Sequence, residues 1–289
     1  MCLSISFMGL TACNNNDAIS PANTNEQSAS STTANDGSEQ HYLTGYALDT
    51  SSIPSNAPTY RIALESNYAP YTFSDELGHV SGFDVDIIKA IGINQGFQVQ
   101  LIPAKWETIF TNLDAGQYDV VVSGVSHTPE REQAYSLTKP YAYSFDTIMT
   151  KADNTGINGL SDLLTATVAV QADSFYHHML MDMPGKDSET IKPVNTAFVG
   201  YQSVANGNAD ATIADSGVLH FMNNQYPEVQ MRFIKDNALS KAALVMVLKK
   251  DNQELTNTIN QGISAIVADG TYGKIYEYWF QTQPEEMPQ

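Results

Sequence analysis

From Tyr60 onward, short apolar runs alternate with amphipathic stretches, and this alternation constrains the fold more than any other feature of the chain. Residues 61–64, 98–102 and 119–122 read as strands. Between them, residues 84–93 and 107–113 read as helices, the first opened by Asp84 as its cap. The rhythm continues with a strand at 167–170, a helix from Ser174, a strand at 211–213 and a helix after Asp215. It closes with an apolar strand at 243–248 and helices from Glu254 and Tyr272. Such β/α alternation predicts a parallel or mixed sheet with helices on both faces. With 289 residues the chain exceeds one ordinary core, so one large or two smaller domains are expected. Ligands in such sheets sit beyond the carboxyl ends of the strands.

The N-terminal part has a different character. Cys2 and Cys13 are the only cysteines, so the folded body holds no disulfide and no cysteine-built metal site. Leu10-Thr11-Ala12-Cys13 closes a short apolar opening and resembles the lipobox of bacterial lipoproteins. That resemblance implies a signal over residues 1–13, cleaved before a lipidated Cys13, with the protein held at a membrane in the periplasm or at the cell surface. No Lys or Arg precedes Arg61, so the positive start of a signal is missing and the natural start is expected upstream. Residues 14–57 read as a linker. Up to about residue 40 they are Asn, Ser, Thr, Ala and acids, which bury too little apolar area to offset ordering entropy. Within 41–57, Tyr42, Leu43, Tyr46 and Leu48 are apolar without periodicity. No other apolar stretch approaches the ~18 residues of a membrane span.

Formal charge is -18, with only 14 Lys and Arg, which excludes a phosphate-binding surface and hence nucleic acid. Against that background the run Val121 to Ala134, VVSGVSHTPEREQA, stands out. A core strand ends in Ser123-Gly124-Val125-Ser126, and Arg131 follows Thr128-Pro129. A guanidinium holds a carboxylate bidentately, and serine hydroxyls donate to the same oxygens. Taken alone, Arg131 reads equally as a surface residue beside Glu130 and Glu132. Asp215 ends a second apolar strand; it is suited to an ammonium, or to capping the next helix. An anion receiver and a cation receiver on separate βα units together suit a zwitterion. Tyr68 and Trp106 follow strands and offer rings to a ligand or to the core. Glu65 points toward the strand ends, or into solvent. Adjacent His177 and His178 do not share a helix face and have no third ligand, so no metal is expected. No nucleophile elbow, P-loop or dinucleotide fingerprint is present, and no cofactor is implied.

Several separate strings carry a family resemblance over residues 59–283. They are Glu65-Ser66-Asn67-Tyr68-Ala69-Pro70-Tyr71, Gly82-Phe83-Asp84-Val85-Asp86, Leu113-Asp114-Ala115-Gly116-Gln117-Tyr118-Asp119, Thr128-Pro129-Glu130-Arg131, and Asp269-Gly270-Thr271-Tyr272-Gly273-Lys274-Ile275-Tyr276. In this order they resemble the extracellular solute-binding proteins of polar amino-acid ABC transporters. The resemblance implies a type II periplasmic-binding-protein fold. It is an α/β fold of two lobes, each a mixed, mostly parallel sheet flanked by helices, joined by two hinge strands. Lobe one would be 58–143 plus 240–285, lobe two 149–236, and the hinge 144–148 with 237–239. By the same resemblance Arg131 and Ser126 clamp the ligand α-carboxylate, while Ser123, Gly124 and Asp215 hold its ammonium. Tyr68, Trp106, Glu65 and Gln171 surround its side chain, and Ser174 begins a lobe-two helix near the carboxylate. Asp173-Ser174-Phe175 departs from the family's usual Gly and small hydroxyl pair there.

The implied function is a non-enzymatic binding lipoprotein, monomeric, that delivers a polar amino acid to an inner-membrane permease. A cationic amino acid (arginine, lysine, histidine or ornithine) suits the acidic cast of the site, and Glu65 with Tyr68 close behind, together with Lys105-Trp106, resembles cystine-binding members of the family. The same fold also hosts cyclohexadienyl dehydratases acting on prephenate or arogenate. Sensory and lytic-transglycosylase relatives carry an attached catalytic or signalling domain, for which no room is expected before Gln289. A surface adhesin is supported by the tether alone.

Overall fold

The computed structural model describes residues 45–74, 77–239 and 241–289. Cys2, Cys13, the signal and most of the linker lie outside the described residues. Strand β1 (Thr59–Glu65) starts the body and is followed by a small antiparallel sheet of β2 (Asn67–Tyr68), β3 (Thr72–Ser74) and β4 (Val80–Ser81). Next come α1 (Phe83–Gln95), β5 (Gln98–Ala104), α2 (Trp106–Asp114), β6 (Val120–Val121), α3 (Pro129–Ala134) and β7 (Ser136–Leu137). The long β8 (Ala142–Lys151) leads to β9 (Val168–Gln171), α4 (Phe175–Met181), β10 (Ile191–Val194), α5 (Ala197–Ala205), β11 (Ala211–Asp215), α6 (Ser216–Gln225) and β12 (Met231–Ile234). The chain returns through β13 (Lys241–Leu244) and β14 (Val247–Leu248) to α7 (Gln253–Ala268) and α8 (Thr271–Phe280).

Two mixed sheets organise these elements. The first has order β5-β1-β6-β14-β7, the second β10-β9-β11-β8-β12, with β13 also paired to β8. The β1–β5 and β1–β6 pairs are parallel, as are β9–β10 and β9–β11; the margins are antiparallel. Helices cover both faces of the first sheet, which is why its strands are apolar without alternation. Ile62 and Val120 face Phe83, Ile87, Ile259 and Ile263, whereas Ala63 and Val121 face Trp106, Ile109 and Leu113. No helix among the described residues is long and apolar enough to cross a membrane.

The sequence-predicted elements are present, with three differences that matter. Residues 45–57, assigned above to the linker, pack on the body. The Tyr46 N–H donates to Asp86 at 2.7 Å, Tyr46 meets the Tyr278 ring edge-on, and the Gln98 amide donates to the carbonyls of Pro54 and Ser55. Asp84 does not cap α1. The cap position is Gly82, and Asp84, fully buried, turns its carboxylate inward. The single apolar run 243–248 is two strands that pair with different sheets, and residues 144–148 lie inside the unbroken β8.

Gly82 sets the entry to α1. It has φ +139°, and a Cβ there would lie 2.0 Å from the Tyr71 carbonyl oxygen. Gly82→Ala is expected to lower stability by about 3 kcal/mol, since both strain and a backbone clash oppose it. Chemical denaturation checks this; a loss below about 1 kcal/mol would show that the turn rearranges freely.

Candidate functional site

The parallel strands β1 and β6 end side by side, and the loop after β6 is built into the body by its own polar groups. Ser123 Oγ accepts the Glu65 N–H at 3.1 Å and shares a hydrogen bond with Thr72 Oγ1 at 3.0 Å. The Gly124 N–H donates to Asp84 at 2.7 Å, and Asp84 also accepts from the Tyr141 hydroxyl at 2.8 Å. Gly124 has φ +54°, and a Cβ would lie 2.7 Å from the Tyr68 ring, so glycine alone lets Tyr68 lie against this backbone. Burial pushes Asp84 up to about 7, with the Gly124 N–H and the Tyr141 hydroxyl opposing.

Arg131 is set by a short local device. Thr128 Oγ1 accepts the Arg131 N–H, Pro129 fills the first turn of α3, and the side chain folds back over the loop. Its Nη1 donates to the Ser126 carbonyl at 2.7 Å. The guanidinium carbon stands 5.6 Å from the Trp106 ring centre and 5.3 Å from that of Phe110. The remaining guanidinium N–H groups have no hydrogen-bond partner among the described residues. Arg131 therefore belongs to the site and not to the solvated surface, and burial lowers it to about 10. It forms no salt bridge among the described residues.

The second sheet supplies the opposite wall. Gln171, at the end of β9, donates Nε2 to both Glu65 carboxylate oxygens at 2.9 Å and approaches the Asn195 carbonyl at 3.5 Å. Ser174 caps α4 by accepting the His177 N–H, while Asp173 takes a left-handed backbone (φ 56°) and its N–H donates to His177 Nδ1. The Tyr176 hydroxyl donates to Asp146 at 2.8 Å. Asp146 and Asp215 are cross-strand partners in β8 and β11, so two buried carboxylates face each other. Burial pushes Asp215 up, against hydroxyls around it, and pushes Asp146 up to about 7 with the charge of Asp215 adding.

Glu65, Tyr68, Trp106, Ser123, Gly124, Ser126, Arg131, Gln171 and Ser174 all line one cavity, so nine of the ten expected site residues meet. Asp215 does not line it. It is fully buried, one carboxylate oxygen accepts the Tyr68 hydroxyl, and the other has no partner. Its side chain makes no helix-capping bond either, although it occupies the cap position of α6. An ammonium reaches Asp215 only if Tyr68 yields. Phe175, Tyr176, Ala197, Ile213 and Ala214 complete the lining. Phe175 was flagged in sequence only as a departure from a hydroxyl, and Tyr176 carries no sequence signal. The cavity measures about 20 Å³, close to the room of one water. The Glu65–Gln171 and Tyr68–Asp215 hydrogen bonds draw its walls together, so an amino acid enters only as they part.

The electrostatic layout is polarised. Arg131 brings unpaired donors to the cavity and Glu65 a carboxylate, with Asp215 behind Tyr68. Burial is the largest influence on Glu65, raising it to about 7. A buried carboxyl raised above its unfolded value binds a proton more tightly in the folded state. Its stabilising effect is full below the unfolded value near 4.5 and is lost as pH rises through about 7. Glu65, Asp84 and Asp146 share that direction, so the ligand-free melting temperature is expected to fall between pH 5 and pH 8. Scanning calorimetry checks this; a midpoint that rises over the interval would show that these carboxyls are ionised at little cost.

Residues 60–282 match the family described as bacterial extracellular solute-binding proteins, family 3. A probable amino-acid ABC transporter-binding protein of Haemophilus influenzae is 29% identical over 226 residues, covering 77% of this chain and 84% of that one. The L-cystine-binding protein TcyJ of Escherichia coli is 28% identical over 225 residues, covering 77% and 82%. Among solved structures, the arginine-, lysine-, histidine-binding protein ArtJ of Geobacillus stearothermophilus superposes with a TM-score of 0.74 at 25% identity, covering 78% of this chain and 97% of that one.

Proposed function

This chain belongs to the bacterial extracellular solute-binding proteins, family 3, and from that premise we propose that it captures a polar L-amino acid between its two lobes for an ABC importer. The observation that supports this most is the Arg131 guanidinium, without an ion-pair partner among the described residues, lining a cavity with Glu65 and with Asp215 behind Tyr68. The ligand α-carboxylate takes the free Arg131 donors. Its ammonium displaces the Tyr68 hydroxyl from Asp215 and gives that buried carboxylate a charge partner. Ser126 and Gly124 border the α-carbon, and Ser174 stays a helix cap beside the carboxylate.

The side-chain end keeps an uncompensated acid, Glu65, so the ligand brings a second positive group there. A cationic tail and the second ammonium of cystine both meet this requirement; an acidic side chain does not, since Arg131 is already occupied. The two lobes would close on the ligand by bending the hinge segments, 144–148 within β8 and 237–239. Closure excludes water and strengthens each charge-assisted bond. A lipid on Cys13 would tether the closed form near its permease. The dehydratase alternative is less favoured, the matched family being one of solute-binding proteins.

Thermal unfolding of the purified chain against all common L-amino acids, ornithine, cystine and prephenate tests this. A ligand at a hundred times its Kd adds about 2.7 kcal/mol to the folded state, read as a raised midpoint. The expected result is a shift with amino acids carrying an additional positive group, abolished in Arg131→Ala and weakened at least tenfold in Asp215→Asn. The affinity is also expected to rise with pH through about 7, because the ammonium pairs with ionised Glu65. A shift with prephenate alone would replace the transport reading with the enzymatic one, and no shift at all would remove the zwitterion receiver.

A further inference from the structure

Asp146 stands in β8 directly across from Asp215 in β11, so the two side chains project from the same face of the second sheet. Cross-strand partners hold their Cβ atoms roughly 4.5–5.5 Å apart, within reach of a hydrogen bond between two carboxyl groups. Both residues are buried, Asp146 4% exposed and Asp215 0%. Each gives one oxygen to a tyrosine. Asp146 Oδ1 accepts the Tyr176 hydroxyl at 2.8 Å, and Asp215 Oδ2 accepts that of Tyr68. The other oxygen of each, Oδ2 on Asp146 and Oδ1 on Asp215, is buried with no hydrogen-bond partner. No lysine, arginine or histidine forms an ion pair with either acid among the described residues. The two tyrosines line the ligand cavity and the two acids do not, so the acid pair lies directly behind them.

We propose that Asp146 and Asp215 act as one acid pair, which holds a single shared proton in the ligand-free protein and releases it to solvent when the ammonium of the amino acid binds Asp215. The inference rests on the zwitterion receiver proposed above and deepens it. Asp146 is a positioning residue in this scheme: it acts through Asp215 and touches no ligand atom. Two ionised carboxylates side by side in a dry site repel, and burial opposes each charge as well, so one of the two retains a proton. That proton also answers the two free oxygens. A carboxyl on one acid donates to the carboxylate of the other, and one bond satisfies both.

Burial is the largest influence raising Asp146 to about 7, and the charge of Asp215 adds to it. Burial raises Asp215 too, against the hydroxyls of Ser144, Tyr68 and Tyr176. The other titratable groups near the pair do not exchange this proton. Burial pushes Tyr68, Tyr71, Tyr141 and Tyr176 well above the usual phenol range. Asp84 is held by the Gly124 N–H and the Tyr141 hydroxyl, and Glu65 by the Gln171 amide. Arg131, whose charge reaches Tyr68 and Tyr176, stays a cation. The arriving ammonium replaces the proton as the positive partner of the pair. Before binding the pair carries one negative charge; afterwards it carries two, offset by the ammonium. The exchange leaves the buried charge unchanged and avoids adding an unpaired charge to the interior. Binding that releases a proton strengthens as pH rises, until the free pair has itself lost that proton.

Calorimetric titration of the purified full chain with L-arginine, L-lysine and L-cystine tests the assignment. Run near pH 6 in buffers of low and high ionisation enthalpy, it counts the protons released. With each probe that binds, the wild-type protein is expected to release about one proton more than Asp146→Asn. Asparagine keeps an acceptor for Tyr176 and offers its amide to Asp215, so the pair has no proton to exchange. Glu65 contributes equally to both proteins and drops out of the difference. Between about pH 5.5 and pH 6.5 the wild-type affinity is expected to rise up to tenfold more than that of the variant. An infrared difference spectrum of the wild type with the same probes needs no substitution. Loss of a protonated-carboxyl band that shifts when the aspartates alone carry carbon-13 assigns the proton to an aspartate. Equal proton counts in the two proteins, or no such aspartate band, overturn the shared proton while the receiver stands. Absence of binding by all three probes overturns the receiver itself, and the shared proton with it.

Discussion

A single buried carboxylate, Asp84, holds together the parts from which the site is made. It stands in the first turn of α1, where the helix end favours negative charge, and is fully buried. One of its oxygens takes the Gly124 N–H from the loop after β6; the other takes the Tyr141 hydroxyl just before β8. Helix, ligand loop and the strand that crosses to the second sheet thus meet at one side chain. Removing either partner would leave an acceptor buried without water, which costs more than the bond itself contributes. The position of Gly124 in turn decides where Tyr68 lies, and Tyr68 decides whether Asp215 is reachable.

The cleft beyond Asp84 is organised by charge more than by shape. Glu65, Asp84, Asp146 and Asp215 are all buried, and Arg131 is the cation that shares the cavity with Glu65. Buried charges of one sign are costly unless paired, so the fold shares them out among hydroxyls: Tyr141 on Asp84, Tyr176 on Asp146, Tyr68 on Asp215. Aromatic hydroxyls satisfy an oxygen without neutralising its charge. The arrangement keeps the second sheet's carboxylates ready for a positive group and keeps the walls intact in its absence. Arg131 is treated in the opposite way. Aromatic faces and one carbonyl hold it in place where it lines the cavity.

How far this was legible in sequence differs between fold and site. The β/α rhythm from Tyr60 carries through to two layered sheets because each apolar run is short, bounded and long enough for one strand. The run VVSGVSHTPEREQA was legible for the same local reason: a capping Thr128, Pro129 and an arginine three residues after the cap direct the side chain backward over Ser126. Long-range pairings were not legible. Asp84 reads locally as a helix cap, and only tertiary contact with Gly124 and Tyr141 turns it inward. Asp215 reads as a wall of the site, yet it lies one residue too deep, since Ala214 and Tyr68 stand in front of it. Tyr46 and Leu48 show no periodicity because they are isolated anchors, Tyr46 fastened to Asp86 and Tyr278 and Leu48 packed against the core, with no helix or strand of their own.

The cross-lobe hydrogen bonds also determine what kind of ligand can hold the lobes shut. Glu65–Gln171 and Tyr68–Asp215 are present between protein groups alone, and among the described carboxylates one oxygen each of Asp146 and Asp215 is left buried without a partner. A ligand shifts the equilibrium toward closure only by binding the closed form better than these bonds do, since equal affinity for both states shifts nothing. A neutral side chain that merely displaced Gln171 would lose two hydrogen bonds to a carboxylate and return none. A positive group displacing the same amide replaces neutral donors with charged ones, and a charge-assisted bond is roughly twice as strong. On the proposed function, the pairing of Glu65 with an amide, in place of a lysine or arginine, would make the cleft selective for a positive group. It is strong enough to satisfy the acid between ligands and weak enough for a cation to exchange with it.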